Sequence, residues 1–251
     1  MPHRFHVETL GTGDRVPLGA ETVRHLHVLG MSTGDEVVLF DGTGAEALVR
    51  IESLSRTSGE ASIVRRTDAR RAAAVAVTLA CAVPRGRRMD TLVRMCAELG
   101  VRRIVPLLAR RSVVRPDRDG RSHKLDRWRK ICVAAAEQSG RSLVTDVETP
   151  TPLADLVDRL DSFDLAILLS PDDAAPFLPD VLRRHGGVRS LLMMVGPEGG
   201  FTSEEVGLAA GRGATVARLT GDTLRIETAS VVASGVVTVL FGDAQAPTCD
   251  T

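Results

Sequence analysis

The stretch that most limits what this chain can fold into runs from Leu191 to Val206, LLMMVGPEGGFTSEEV. Leu191 to Val195 are five apolar residues in a row, the pattern of a short strand buried on both faces. Apolarity then stops at Gly196-Pro-Glu-Gly-Gly200. Thr202 and Glu205 follow at the spacing of a capping box, which opens a helix. A buried strand that passes through a glycine-rich turn into a helix N-terminus belongs to an α/β sheet. At that edge bare backbone N–H groups and the helix dipole converge, and ligands bind there. The glycines let a ligand lie against main chain, and Pro197 fixes one φ angle. The loop is neither G-x-x-x-x-G-K-[ST] nor G-x-G-x-x-G, so it carries no P-loop or dinucleotide fingerprint. Taken alone, its alternative reading is a tight strand-to-helix turn with no ligand.

Around this stretch the chain divides in two. Residues 1–70 read as all-β: a strand at Gly34–Phe40, a turn at Asp41–Gly44, a returning strand at Ala45–Leu54 and a further alternating run at Glu60–Arg66. Short strands with glycine turns suggest a small barrel. Thr22–Leu29 reads as an amphipathic helix, and Thr67–Ala74 as a linker. Residues 71–251 alternate strand and helix, the signature of a mostly parallel sheet. Strands are expected at 75–83, 103–108, 165–169 and 214–219. Helices are expected at 89–99, 124–139, 153–160, near 203–211 and up to about Leu240. Leu125, Trp128, Cys132 and Ala136 share one face of the 124–139 helix, which Gly140 ends.

The 251 residues carry no net charge, yet the charges are segregated. Residues 83–130 hold fifteen Arg and Lys against five acids, while residues 142–251 hold sixteen acids against seven arginines. Such a basic block points to a polyanion, nucleic acid above all. Cys81, Cys96, Cys132 and Cys249 stand far apart with no C-x-x-C pair, which argues against structural zinc or a disulfide framework and fits a reducing cytoplasm. Met1–His6 has no apolar run behind it, so no signal peptide is read, and the apolar run Ala229–Phe241 is too short to span a bilayer. The histidines lack partners at metal spacing, so no metal is expected.

Several segments, taken in order, resemble one family. They are Pro84-Arg-Gly-Arg-Arg-Met-Asp90, Glu98-Leu-Gly-Val101, Ile104-Val-Pro-Leu107, Trp128-Arg-Lys-Ile131, Ala136-Glu-Gln-Ser-Gly-Arg141, Val195-Gly-Pro-Glu-Gly-Gly-Phe201 and Leu224-Arg-Ile-Glu-Thr-Ala229. Together they look like the bacterial ribosomal-RNA uridine-N3 methyltransferases of RsmE type, a branch of the SPOUT methyltransferases. The resemblance covers essentially the whole chain. It implies a C-terminal α/β SPOUT domain with a deep trefoil knot, an exception to unknotted topology, and an N-terminal PUA-like β-barrel. It also implies a homodimer that uses the last helix, with Ala229, Ala233, Ser234 and Gly235 allowing close backbone approach there or packing inside one domain. S-adenosylmethionine would be held by Leu169 and Ser170, by Val195, Gly196, Pro197, Glu198, Gly199 and Gly200, and by Leu219, Thr220, Gly221, Thr223, Leu224 and Ile226. One departure stands out. Gly221-Asp222-Thr223 occupies a step where the family commonly has Gly-x-Arg or Gly-x-Lys.

Methylating uracil N3 removes an imide proton and spreads negative charge over O2 and O4, so the site must align the reactants and stabilise that charge. Arg225 is the candidate stabilising cation, and Glu198 and Glu227 are candidates to orient the base or accept its proton. Glu137, Gln138 and Arg141 end a helix near the same site by family analogy. RNA contact is expected from Arg4, Arg24 and His25 of the first domain, and from Arg85, Arg87, Arg88, Arg110, Arg111, Arg115 and Arg141 of the second. The partner would be small-subunit ribosomal RNA. Methylation of another RNA or position, and a non-catalytic RNA-binding assembly factor, remain open alternatives.

Overall fold

The computed structural model describes residues 2–67, 75–114 and 123–241. The chain divides into two compact units, Met1–Ala72 with Val133–Val144, and Ala73–Cys132 with Thr145–Thr251. Most of the expected linker and the candidate RNA contact Arg115 lie outside the described residues.

In the N-terminal unit the elements are β1 (Arg4–His6), β2 (Arg15–Leu18), α1 (Ala20–Val28), β3 (Glu36–Phe40), β4 (Glu46–Leu54) and β5 (Gly59–Thr67). The strands form one sheet in the order β1-β3-β4-β5-β2, curled into a half-barrel. The small barrel read from the sequence takes this form. β1 runs parallel to β3 and the remaining pairs are antiparallel. The β4–β5 register shifts between Leu48 and Val49 and again between Ile51 and Ser53. Bulges of this kind bend a strand and add twist. Ala47, Val49 and Ile51 alternate inward and meet Phe5, Val16, Val37 and Leu39, with Val23 and Leu26 of α1 over them. The Asp41–Gly44 turn needs its glycine at 42. There φ is +79°, and a Cβ would stand 3.1 Å from Val144 Cγ2. β1 and β2, at three and four residues, are too short for alternation to announce.

The second unit contains β6 (Ala76–Ala82), α2 (Arg88–Glu98), β7 (Arg103–Leu108), the first part of α3 (His123–Ser139), β8 (Asp146–Val147), β9 (Thr151–Pro152), α4 (Leu153–Val157), β10 (Leu165–Leu169), α5 (Leu178–Arg184), β11 (Ser190–Val195), α6 (Ser203–Gly211), β12 (Thr215–Ala217) and α7 (Ile226–Phe241). The sheet is parallel throughout, in the order β12-β10-β11-β6-β7-β8, with β9 also on β7. All five residues of β10, and Leu191 to Val195 of β11, are buried, which is why both segments read as unbroken apolar runs. The helix expected over 153–160 ends at Val157. A 3-10 turn at Leu160–Ser162 then tucks Leu160 in beside Leu153, Leu156 and Val157, so the apolar face persists while the backbone tightens. α5 was not anticipated. Its signals were Leu178, Val181 and Leu182 at helical spacing, with a proline in the first turn. Among the described residues no helix is long and apolar enough to cross a membrane.

α7 packs on α2 and β6. Ala233 and Ser234 are buried there, with Ser234 Oγ 3.9 Å from Cys96 Sγ and Thr238 Oγ1 donating to the Leu99 carbonyl at 3.1 Å. These small residues therefore serve packing within the unit. Val232, Val239 and Leu240 form the exposed apolar side of the helix.

Cys81, Cys96 and Cys132 are buried free thiols. Burial pushes Cys96 up to about 12. Burial, then the charge of Asp146, pushes Cys132 up to about 12. Cys81 is raised by burial too. An unfolded thiol ionises near pH 8.5, so above that pH the unfolded state binds fewer protons than the fold, and stability must fall. Urea unfolding should show this decline beginning above about pH 8.5, with the slope persisting toward pH 12. At pH 8 a disulfide reagent should reach these three thiols only after denaturation. Native labelling of Cys96 or Cys132 at the rate of a free thiol would refute the packing.

Candidate active site

β10 pairs with β11 on one side and β12 on the other, and Leu169 is level with both Val195 and Ala217. Three parallel strands thus leave the sheet at one height. Their exit loops enclose a cleft lined by Leu169, Ser170 and Pro171, by Val195, Gly196, Pro197, Glu198 and Gly200, and by Leu219, Thr220, Asp222, Thr223, Leu224 and Ala229. Its volume, open mouth included, is about 600 Å³.

Each wall has a local cause. The segments after β10 and β12 are clipped together: Ser170 N–H donates to the Ala217 carbonyl at 2.9 Å, Leu178 N–H to that of Arg218 at 2.8 Å, and Arg218 N–H to that of Pro176 at 2.9 Å. The Arg218 guanidinium also lies 4.1 Å from the centre of the Phe177 ring. On the β11 side, Gly200 N–H donates to the Pro197 carbonyl at 2.7 Å, closing a four-residue turn. Gly200 has φ +68°, a conformation that suits glycine. A Cβ on Gly196 would fall 3.1 Å from the Phe201 ring. The capping box is present in full: Thr202 N–H donates to Glu205 Oε2 at 2.8 Å, and Glu205 N–H to Thr202 Oγ1 at 3.3 Å. α6 therefore starts where the sequence placed it.

Eleven of the residues expected to hold a cofactor line this cleft; Gly199, Gly221 and Ile226 do not. Gly199 faces the Arg111 side chain, whose Cδ would be 3.3 Å from a Cβ there. Gly221 is exposed, and Ile226 is buried at the start of α7. Pro171, Asp222 and Ala229 line the cleft without having been named for it. Their signal was adjacency, since Pro171 follows Ser170 and Ala229 lies in the first turn of α7.

Of the catalytic candidates, Glu198 lines the cleft. Glu227, partly buried in the first turn of α7, is linked to it through Arg88, which lies 3.4 Å from a carboxylate oxygen of each. Arg225 is exposed just ahead of α7 and outside the lining. The RNA candidates fall into two groups. Arg24, His25, Arg85 and Arg87 are exposed. The Arg4 side chain is 17% exposed, pairs with Glu46 at 2.7 Å, donates to Ser142 and lies over the Phe40 ring, all within its own unit. Arg88, Arg110 and Arg111, the last two also exposed, make contacts near the cleft loop. Arg141 is partly buried, and like Glu137, which accepts from His6 N–H at 2.9 Å, and the exposed Gln138, it sorts with the N-terminal unit. No group of three potential metal-ligating side chains occurs among the described residues.

The loop geometry separates its glycines. Gly196→Ala must displace the Phe201 ring and should cost about 1–3 kcal/mol in urea unfolding. Gly199→Ala meets only the stem of a flexible arginine and should stay within about 0.5 kcal/mol of wild type. Equal costs would mean that the close Phe201 contact is not there.

Residues 71–238 match the RNA methyltransferase domain family, and residues 18–64 the RNA methyltransferase PUA domain. The chain is 30% identical over 223 residues to the Ribosomal RNA small subunit methyltransferase E of Bacillus subtilis, covering 86% of this chain and 87% of that one. It is 30% identical over 253 residues to the protein of that name from Mycobacterium tuberculosis, covering 98% and 95%. The crystal structure of Ribosomal RNA small subunit methyltransferase E from Neisseria gonorrhoeae bound to S-adenosyl methionine superposes with a TM-score of 0.87 at 31% identity, over 98% of this chain and 100% of that chain. A domain match that takes in every strand and loop around the cleft, joined to relatives similar across both units, places the chain in the ribosomal RNA small subunit methyltransferase E family.

Proposed function

We propose that this protein transfers a methyl group from S-adenosylmethionine to N3 of a uridine in small-subunit ribosomal RNA. The observation that carries the reading is the cleft at the level ends of β10, β11 and β12, lined mostly by glycine, proline and small or apolar residues. Its residues fit the cofactor. Leu169, Val195, Leu219 and Leu224 offer apolar walls to a purine and ribose, Gly196 and Gly200 bring backbone within reach, and Glu198 and Asp222 supply negative charge beside a ligand that carries sulfonium and ammonium groups. The bound cofactor supplies an electrophilic methyl group.

The chain's own residues do the rest. The cleft loops hold the reactants in line. Glu198 orients the uracil or accepts its N3 proton, with Glu227 close by through Arg88. Arg225, exposed beside the cleft segment 219–224, stabilises the charge that develops on O2 and O4. Phosphate contact falls to the exposed Arg24, His25, Arg85 and Arg87, which position the RNA without reading its base. The base itself enters unpaired or flipped. A ribosomal substrate implies a cytoplasmic enzyme. The exposed Val232, Val239 and Leu240 of α7 support a homodimer formed through that helix. The threaded, knotted path expected of the family belongs to the same reading.

The test is methyl transfer to small ribosomal subunits from a strain lacking the modification, with the product nucleoside identified. N3-methyluridine is expected; a different methylated nucleoside, or none, would overturn the reading. Arg225→Ala should lower the single-turnover rate at saturating RNA by about 10²–10³ while cofactor affinity holds. Lysine at 225 should recover only part of that loss. Normal turnover by Arg225→Ala would assign charge stabilisation to another group.

A further inference from the structure

The sheet order β11-β6-β7 brings three exit loops together: the cleft loop after β11, the start of α2 after β6, and residues 109–114 after β7. Arginines from the second and third grip the first. Arg111 Nη1 donates to the Gly199 carbonyl at 2.6 Å, with its stem lying against the space where a Cβ would be. Arg88 reaches in three directions. Its Nε donates to the Arg85 carbonyl at 3.1 Å, Nη2 lies 3.4 Å from Glu198 Oε1, and Nη1 lies 3.4 Å from Glu227 Oε1. Beside them Arg110 N–H donates to Glu205 Oε1 at 2.7 Å, so the carboxylate that completes the capping box also ties down the loop after β7. Glu198 and Gly199 are consecutive, and Gly196, Pro197, Glu198 and Gly200 around them line the cleft.

We propose that Arg88 and Arg111 are positioning residues for the cofactor loop, Arg111 holding its main chain and Arg88 fixing Glu198 against Glu227. The assignment rests on the methyltransferase reading above and changes what two arginines of the basic block are for. A charge-assisted hydrogen bond to a carbonyl needs one N–H, which an ammonium can also give. A bridge between two carboxylates needs the planar fork of a guanidinium. The two positions therefore differ in what lysine can replace.

The experiment uses the full chain, with calorimetry for S-adenosylmethionine, single-turnover methyl transfer to small subunits, thermal unfolding, and RNA affinity across a salt series. Arg111→Ala should weaken cofactor affinity about tenfold, and Arg111→Lys should restore most of it. Arg88→Ala and Arg88→Lys should both lower the rate at saturating RNA about tenfold or more. If Arg88 acts through Glu198, the double variant Arg88→Ala/Glu198→Gln should be no slower than the slower of its two single variants, a departure from additivity that general loss of stability would not produce. The RNA salt slope should hardly move for either arginine, whereas losing a true phosphate contact lowers it by roughly 0.7 on single strands. Variants that bind cofactor and turn over like wild type, or whose defect lies wholly in RNA affinity with a reduced salt slope, would overturn the proposal. Should the wild-type chain itself fail to bind S-adenosylmethionine, the reading of the cleft falls and this proposal with it. Should wild type bind while the variants are unimpaired, only the proposal falls.

Discussion

The register of β10 against its two neighbours sets the terms for everything at the carboxyl edge of the sheet. Because Leu169, Val195 and Ala217 finish level, three backbones lose their ladder partners at the same height, and the freed N–H and C=O groups must be met nearby. They are met by short-range devices: Ser170 N–H on the Ala217 carbonyl, the Pro197–Gly200 turn and the Arg218 clip on Pro176 and Leu178. Each device draws its loop inward. A concave surface between the three loops is the geometric result, and the chemistry of the cleft follows from it.

The same sheet order explains why charges segregated along the chain do not stay segregated in space. The basic block, residues 83–130, follows β6 and takes in α2, β7 and the first part of α3, and the acidic part begins at residue 142, just ahead of β8. Yet β11 is hydrogen-bonded to β6, so loops of the two halves meet. Arg88 meets Glu198 and Glu227, and Arg110 approaches Glu204 at 4.0 Å and donates its N–H to Glu205. A count of arginines in sequence therefore overstates the field offered to RNA, since several members are spent on the fold's own carboxylates. Arg85 and Arg87, exposed ahead of α2, are among the members of the block whose outward placement agrees with the polyanion reading.

What was legible in the sequence follows the same physics. β10 and β11 announced themselves because strands buried on both faces must be apolar throughout, and α6 because its capping box is a local signal written in two residues. The cleft loop was legible through its glycines, although their separate duties were not. Gly200 answers to a positive φ, Gly196 to the Phe201 ring and Gly199 to an arginine from another loop, and the last two are tertiary facts. β1 and β2 are too short for periodicity to speak, and α5 offers only Leu178, Val181 and Leu182 within seven residues. Nothing local to Arg4 shows that Glu46 and Ser142 meet it in the folded unit. The family resemblance supplied the cofactor and the partner, and no spacing or composition could have done so.

The departure at Thr223 gains meaning from where the fold puts it. Thr223 and Asp222 both line the cleft, Glu198 faces them from the β11 side, and no arginine or lysine is among the lining residues. The lining is thus net negative, a setting that favours a cationic sulfonium ligand and opposes the anionic uracil that must form beside it. On the proposed function, that opposition has to be answered by a cation held just outside the lining. Two are within the same neighbourhood: Arg225, exposed and contiguous with the 219–224 segment, and Arg88, already divided between Glu198 and Glu227. An arginine with two carboxylates to satisfy has little field left for a third anion, whereas an exposed one can swing to wherever the charge appears. On the proposed function, threonine at 223 would place the weight of charge stabilisation on Arg225 and leave Arg88 to hold the glutamates in place.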